Sequence, residues 1–319
     1  MSGLFTRKDL VYTVYQEQSI SKAAKKLFIS QPSLSVMIKK IEDDIGFPLF
    51  DRTCKPLRMT EAGVEYIRAT EEIMHIEKAF ENYANAYKDL ETGSLNLGSN
   101  QLLTSMVIPE IVSAFMSKHP KIQLGLMDDN SSVLEAAIIS GQLDLVIDNH
   151  HYEEEFFENK LITQEHLVMA VPGSFECNKG LEEYAMNDDD IINGVHLTDK
   201  VKPLPEGALD NITFVAMTRE NETRRSADDI LKELKIRPST ILEIDRLVTL
   251  YRFVIMGTAA SIVSDTLIRH TRQRGNVVFY RLDSKKATRD IFISYKKNKY
   301  YSKAMEAFVD MVIGMGEFI

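Results

Sequence analysis

The sequence predicts an α/β protein in three parts: a small helical head, a long linker helix and a larger C-terminal α/β body. Three observations lead there. Residues 19–50, SISKAAKKLFISQPSLSVMIKKIEDDIGFPLF, read as two short helices around a tight turn. Apolar residues from Ala62 to Tyr87 recur at spacings that alternate four and three, the mark of a helix that pairs along one seam. From Ser94 onward, short apolar strands alternate with amphipathic helices, as in an open parallel sheet.

A chain of 319 residues is long enough for two or three domains. No apolar run reaches the ~18 residues of a membrane span. The opening stretch, MSGLFTRKDLVYTVYQEQ, carries charges where a signal peptide needs an apolar block. A cytoplasmic, membrane-free protein is therefore expected. Cys54 and Cys177 match neither a metal spacing nor a disulfide framework and read as free thiols. Net charge is −9, but it is unevenly spread. Residues 1–60 hold ten basic and six acidic side chains, a surplus of four, which leaves −13 on the rest. A basic head on an acidic body suits phosphate contact at one end only.

In the head, Thr6 and Asp9 are placed to form a capping box, with Phe5 stapled to Leu10. Leu10, Val11, Val14 and Tyr15 give the first helix its buried face. A second helix starts at Ser21 and packs Ala23, Ala24 and Leu27. The third has Ser30 as N-cap and Pro32 in its first turn. Leu34, Met37, Ile38, Ile41 and Ile45 form its apolar face. The other face offers Gln31, Pro32, Ser33, Ser35, Val36, Lys39 and Lys40. Short polar groups, one aliphatic and two lysines suit base edges, thymine methyls and phosphates. On periodicity alone, an ordinary buried helical hairpin fits as well.

Gly46 is placed to stop the third helix. Residues 51–59 are short, basic and broken by proline, as in a small two-stranded wing. Arg52, Lys55 and Arg58 there suit phosphates or the minor groove, with a solvated loop as the alternative. Thr60 caps the linker helix.

The literal string decides between these readings. Ser19-x-Ser21-x-Ala23-Ala24-x-x-Leu27-x-x-Ser30-Gln31-Pro32-Ser33-Leu34-Ser35, then Ile38, Ile41-Glu42, Ile45-Gly46, Leu49-Phe50 and Arg52, closely resembles the DNA-binding head of LysR-type transcriptional regulators. Thr60-x-x-Gly63 continues the match. The resemblance implies a winged helix-turn-helix, a dimerising linker helix and a two-lobed effector-binding domain like the periplasmic solute-binding proteins. The expected boundaries are 1–60 for the head, 61–89 for the linker and 90–319 for the body. Within the body, lobe I is expected at about 94–162 and 266–319, and lobe II at about 163–265.

In the linker, Tyr66, Ala69, Ile73, Ile76, Phe80, Tyr83 and Tyr87 make the seam. A homodimer is preferred to an intramolecular partner, because two heads read two half-sites. In the body, strands at 95–97, 122–126 and 145–147 flank helices at about 102–118 and 132–140, a βαβαβ unit with parallel strands. Ser132 and Glu135 are placed to box the second of those helices. A long strand over 161–171 is expected to cross to the second lobe. Strands at 212–216 and 241–244 follow, then a turn leading into a strand over 257–263, with a return strand at 290–295 and a last helix carrying Ala304, Phe308, Met311 and Val312. The acidic stretch 176–210 is only weakly periodic.

Ligands of open α/β sheets sit beyond the C-terminal strand ends, against helix N-termini. By that rule the effector residues are Asn100, Gln101, Leu102, Asn130, Ser131, Asn149, Met217, Thr218, Asp245 and Thr258. Each has a plainer role open to it, such as helix capping by Ser131 or Asp245. Three departures from the family pattern stand out: apolar Leu102 in place of a hydroxyl, Asp129 in place of glycine, and Ser264-Asp265 in place of proline. An acidic or polar small metabolite is the expected effector.

The competing class is an α/β enzyme with a helical appendage. No nucleophile elbow, phosphate loop, dinucleotide fingerprint or zinc-protease motif occurs. His150 and His151 are adjacent, not at the i, i+4 spacing of a zinc site. No catalytic residue, metal or cofactor is expected. A DNA-bending dimer without an effector would not need two α/β lobes. The expectation is a transcription regulator, homodimeric or homotetrameric, whose partners are promoter DNA, a metabolite, RNA polymerase and its own copies.

Overall fold

Three helices build the head: α1 (Lys8–Glu17), α2 (Ile20–Lys26) and α3 (Gln31–Ile45). The computed structural model describes residues 4–54, 56–86, 93–219, 221–271, 275–297 and 301–316. The chain forms two compact units, one on residues up to 84 and one carrying the rest apart from 139–142, which group with the first. Among the described residues no helix is long and apolar enough to cross a membrane.

The head core gathers Val11 and Val14 of α1, Ala23 and Ala24 of α2, and Leu34 and Ile38 of α3, with Leu49 and Phe50. The two alanines leave room for close helix crossing, as expected from their size. Ser19, not Ser21, caps α2, its Oγ accepting the Lys22 N–H at 3.4 Å. Behind α1 the capping position is Arg7, without a side-chain bond, so the helix begins later than a Thr6 cap requires. Ser30 caps α3 through the Ser33 N–H at 3.2 Å. Gly46 ends it at φ +90°, a conformation that glycine adopts without strain.

A two-residue wing follows, β1 (Phe50–Asp51) paired antiparallel with β2 (Arg58–Met59). The linker helix α4 (Glu61–Ala86) has 26 residues, a length of ~39 Å. Thr60 caps it: its Oγ accepts the Gly63 N–H at 3.0 Å and donates to the Pro48 carbonyl at 2.6 Å. A Cβ at position 63 would lie 2.1 Å from the Leu49 carbonyl oxygen, so only glycine lets α4 start there.

The body begins with β3 (Gly93–Ser99), α5 (Gln101–Met106), α6 (Ile108–Lys118), β4 (Ile122–Asp128), α7 (Ser131–Ser140) and β5 (Leu145–Asp148). β3 pairs in parallel with both β4 and β5, the expected βαβαβ unit. The single helix expected over 102–118 is two helices broken at Val107. Pro109 lacks an N–H and its ring crowds the preceding turn, so α5 cannot run on through it. Asn130 caps α7, accepting the Val133 N–H at 3.1 Å and the Ser132 hydroxyl at 2.7 Å, where a Ser132–Glu135 box was expected.

Then come β6 (Phe157–Pro172), β7 (Ala185–Met186), α8 (Asp188–Ile192), β8 (Thr213–Met217), α9 (Glu222–Glu233), β9 (Thr240–Ile244), α10 (Leu247–Ile255) and β10 (Ser261–Ser264). α11 (Asp265–His270), β11 (Val277–Arg281), β12 (Thr288–Lys296) and α12 (Lys303–Gly314) complete the chain. β6 is the shared strand. Its first half pairs with β12, which also pairs with β5; its second half pairs with β10 and β11. The chain therefore stays in the second lobe through Arg281 and returns along β12, later than the boundary near 266 that was expected. Strand alternation fills two cores there: Leu167, Met169 and Val171 enter one, Val168 and Ala170 the other.

Candidate nucleic-acid interface and ligand cleft

On α3, Leu34, Ile38, Ile41 and Glu42 are buried. Gln31, Pro32, Ser33, Val36, Lys39 and Lys40 are exposed, and Ser35 is half-buried. Val36 is 68% exposed, a solvent-facing aliphatic on an otherwise polar stripe. The hairpin alternative required this face to be sealed, and it is open. Lys55 lies outside the described residues.

Arg52, expected at the DNA backbone, is also engaged within the head. Its Nη2 donates to Glu42 Oε2 at 2.8 Å, while Glu42 Oε1 accepts the Leu49 and Phe50 N–H groups at 2.8 and 3.2 Å. The buried carboxylate thus joins α3 to the wing, and Arg52 is half-committed to holding it. A lone glutamate in an apolar helix face is the sequence signal for such a buried anchor.

Of the linker residues, Tyr66 sits in the head core. Its ring stacks on Phe5 at 4.9 Å and its hydroxyl donates to the Leu4 carbonyl at 3.0 Å. The exposed part of the expected seam lies beyond it. Ala69 and Ile73 are half-buried, and Ile76 and Phe80 are 67% and 68% exposed. The Tyr83 side chain and all of Tyr87 lie outside the described residues.

In the body, a cavity of about 100 Å³ lies between the lobes. Seven of the expected residues line it: Asn100, Gln101, Leu102, Asn130, Ser131, Asn149 and Met217. Thr218, Asp245 and Thr258 do not. Thr218 gives its N–H to the Ile244 carbonyl, which ties it to the β8–β9 pair. Asp245 is exposed and Arg246, not Asp245, precedes α10. Thr258 is exposed and bonds back to Phe253.

Asp148 organises the first-lobe wall and was not foreseen. It is 2% exposed. Oδ1 accepts from Asn100 Nδ2 at 2.8 Å and the Asn149 N–H at 2.7 Å; Oδ2 accepts from Ser131 at 2.6 Å and Tyr152 at 3.2 Å. Four donors satisfy a carboxylate that forms no ion pair among the described residues. Asn100 in turn caps α5 through the Leu103 N–H.

Asn221, Thr223 and Leu247 line the second lobe's side, and Arg289 of β12 completes the cavity. Arg289 ion-pairs with buried Glu165, donates to Thr223 Oγ at 3.1 Å and keeps a buried Nε without a partner. Gln101 Oε1 accepts the Leu247 N–H at 3.2 Å. Met217 is held by its carbonyl, which accepts from Arg224 at 2.8 Å. Burial works against the Arg224 charge, but hydrogen bonds to Asp228 and Glu243 outweigh it and hold the guanidinium above its ordinary pKa. Amides, hydroxyls and one ion-paired guanidinium thus face three apolar side chains, Leu102, Met217 and Leu247. That set offers hydrogen bonds and apolar contact to a small polar molecule.

Two family models match. Residues 9–64 match the bacterial regulatory helix-turn-helix protein, lysR family, and residues 88–315 match the LysR substrate binding domain. A probable RuBisCO transcriptional regulator from Trieres chinensis is 23% identical over 312 residues, covering 95% of each chain. Full-length OxyR C199D from Pseudomonas aeruginosa superposes with a TM-score of 0.68 at 19% identity, over 95% of this chain and 92% of that one. Full-length CbnR complexed with its target DNA superposes with a TM-score of 0.65 at 19% identity, over 96% and 98%. At such identities the superpositions speak for the fold.

Proposed function

Because the chain belongs to the LysR family of DNA-binding transcriptional regulators, we propose that its head reads an inverted-repeat operator through the exposed stripe of α3. The open face carrying Gln31, Pro32, Val36 and Lys39 is the observation that carries this reading. Gln31 and Lys39 offer hydrogen bonds to base edges, and Pro32 and Val36 pack against thymine methyls. Lys40 meets phosphate, and Arg52 orients the wing through Glu42. Two copies pair along α4 through Ile76 and Phe80, so that two heads meet two half-sites. Pairs of dimers as tetramers, contact with RNA polymerase and a cytoplasmic location belong to the same reading.

The effector is a small polar metabolite, uncharged or zwitterionic. Arg289 is balanced by Glu165 and Asp148 is saturated by neutral donors, which favours the polar over the acidic half of the expected effector class. Amides and hydroxyls then do the recognising. A ligand that bridges Asn100 and Ser131 of one lobe to Thr223 of the other favours one arrangement of the lobes, and so of the oligomer.

Footprinting on genomic fragments selected by the protein tests the DNA reading. Paired protected half-sites with a steep log–log salt dependence are expected. Sequence-indifferent protection would overturn it. A thermal-shift screen of small metabolites tests the cleft, since a ligand specific to the folded state raises the melting temperature.

A further inference from the structure

The second lobe carries a cluster that the regulator reading leaves unused. His166 lies on β6, His196 in a short 3-10 turn (Val195–Leu197), and Asp265 at the start of α11. One ring nitrogen of each histidine and one carboxylate oxygen lie within 4.8 Å of one another. His196 Nε2 is 2.9 Å from Asp265 Oδ2, and His166 Nδ1 is 3.6 Å from the same oxygen. Asp265 is fully buried and His196 is 4% exposed. We propose that His166, His196 and Asp265 form a binding site for a borderline divalent transition ion, Zn²⁺ before others.

The geometry suits the ion. Zinc bonds of about 2.0–2.1 Å in tetrahedral array set neighbouring ligand atoms ~3.3 Å apart. The two separations to Asp265 Oδ2 fall on either side of that spacing, each within a few tenths of an ångström. The two ring nitrogens lie within 4.8 Å of each other, so that small side-chain turns would bring them onto one ion. Two imidazoles and a carboxylate are also the donor set that zinc takes when one position is left for water. That position is available, because both histidines line a cavity of about 380 Å³ that includes Arg281, Ser284 and Thr288.

A second observation concerns His166 itself. Its Nδ1, the ring atom that faces Asp265, is buried without a hydrogen-bond partner. Interiors leave few such atoms unpaired, and a bound ion is one ordinary reason for them. The neighbouring cation is Arg269, whose Nη2 sits 2.9 Å from Asp265 Oδ2. Its side chain is 28% exposed, so an entering ion would displace this ion pair and send the guanidinium toward solvent. Glu165 faces away from the cluster toward Ser264 and Arg289. An ion would stiffen β6 one residue from Glu165, which holds Arg289 at the cleft. The site stands whether or not the DNA reading does.

The test uses tag-free full-length protein stripped with chelator and titrated with ZnCl₂ alone. One equivalent per chain is expected, with a rise in melting temperature. Co²⁺ in its place should show the visible d–d bands of a four-coordinate nitrogen–oxygen site. His166→Ala, at a partly exposed position, should weaken binding about tenfold or more while far-UV circular dichroism is unchanged. Absence of saturable Zn²⁺ binding would overturn the proposal, as would stoichiometric binding unchanged in both His166→Ala and His196→Ala. Should either variant fail to fold, the wild-type Co²⁺ spectrum decides: octahedral, weakly absorbing Co²⁺ counts against the site.

Discussion

Gln101 Oε1 accepts the backbone N–H of Leu247 across the cleft, 3.2 Å away. Gln101 belongs to the first lobe and Leu247 opens α10 in the second, so one side chain satisfies a helix N-terminus that the other lobe leaves bare. Gln101→Leu keeps the volume and removes the acceptor. It should cost about 1–2 kcal/mol, read by calorimetry as a fall of roughly 2–4 °C per kcal/mol. It should also change the effector midpoint. A wild-type melting curve with an unchanged midpoint would show that the bridge carries no energy.

Glu42 and Arg52 form an asymmetric pair. Glu42 is buried and accepts three donors, whereas Arg52 is 43% exposed. Glu42→Ala strands two buried N–H groups and should destabilise the head by about 3 kcal/mol. Arg52→Ala should cost less than about 1 kcal/mol, since solvent screens an exposed partner. Urea unfolding followed by far-UV circular dichroism compares the two. Equal losses would contradict the anchoring role.

On the groove-facing stripe, Gln31→Ala should lower discrimination between operator variants by ~1–3 kcal/mol in gel-shift titrations. Lys40→Ala should weaken every sequence alike and reduce the salt slope by about one. The two signatures exchanged would mean that the stripe is oriented differently in the groove.

Ile76→Asp and Phe80→Asp each place a charge on the exposed apolar stretch of α4. Sedimentation should then report a shift toward monomer, and binding to an inverted repeat should fall further than binding to a single half-site. An unchanged dimer would move the interface elsewhere on the chain.

Local signals carried far in the sequence. Ser30, Pro32 and Gly46 mark both ends of α3, and the βαβαβ order around β3 follows from strand length and turn residues. The strand-end rule found Asn100, Ser131 and Asn149 because cleft-lining residues of a parallel sheet lie directly after the strands. It had no means of finding Arg289, which lies at the N-terminal end of β12 and reaches the cleft because that strand returns antiparallel beside β6. Asp148 directly follows the expected strand 145–147, where only Asn149 is singled out, and its importance comes from donors contributed by Asn100, Ser131 and Tyr152. Tyr66 fits the heptad spacing perfectly yet turns inward, because the first two turns of α4 still belong to the head. His166, His196 and Asp265 are separated by 30 and 69 positions in the chain, so no spacing rule unites them.

β6 gives hydrogen bonds to both lobes along one uninterrupted run of residues. Neither lobe can be cut out as a free-standing fragment, since any cut through this strand strips a ladder from each half. Their relative motion must bend or twist a continuous ribbon instead of swinging on a slack tether. Travel is then short and elastic, and a bound metabolite works against a spring whose stiffness is set by the backbone itself.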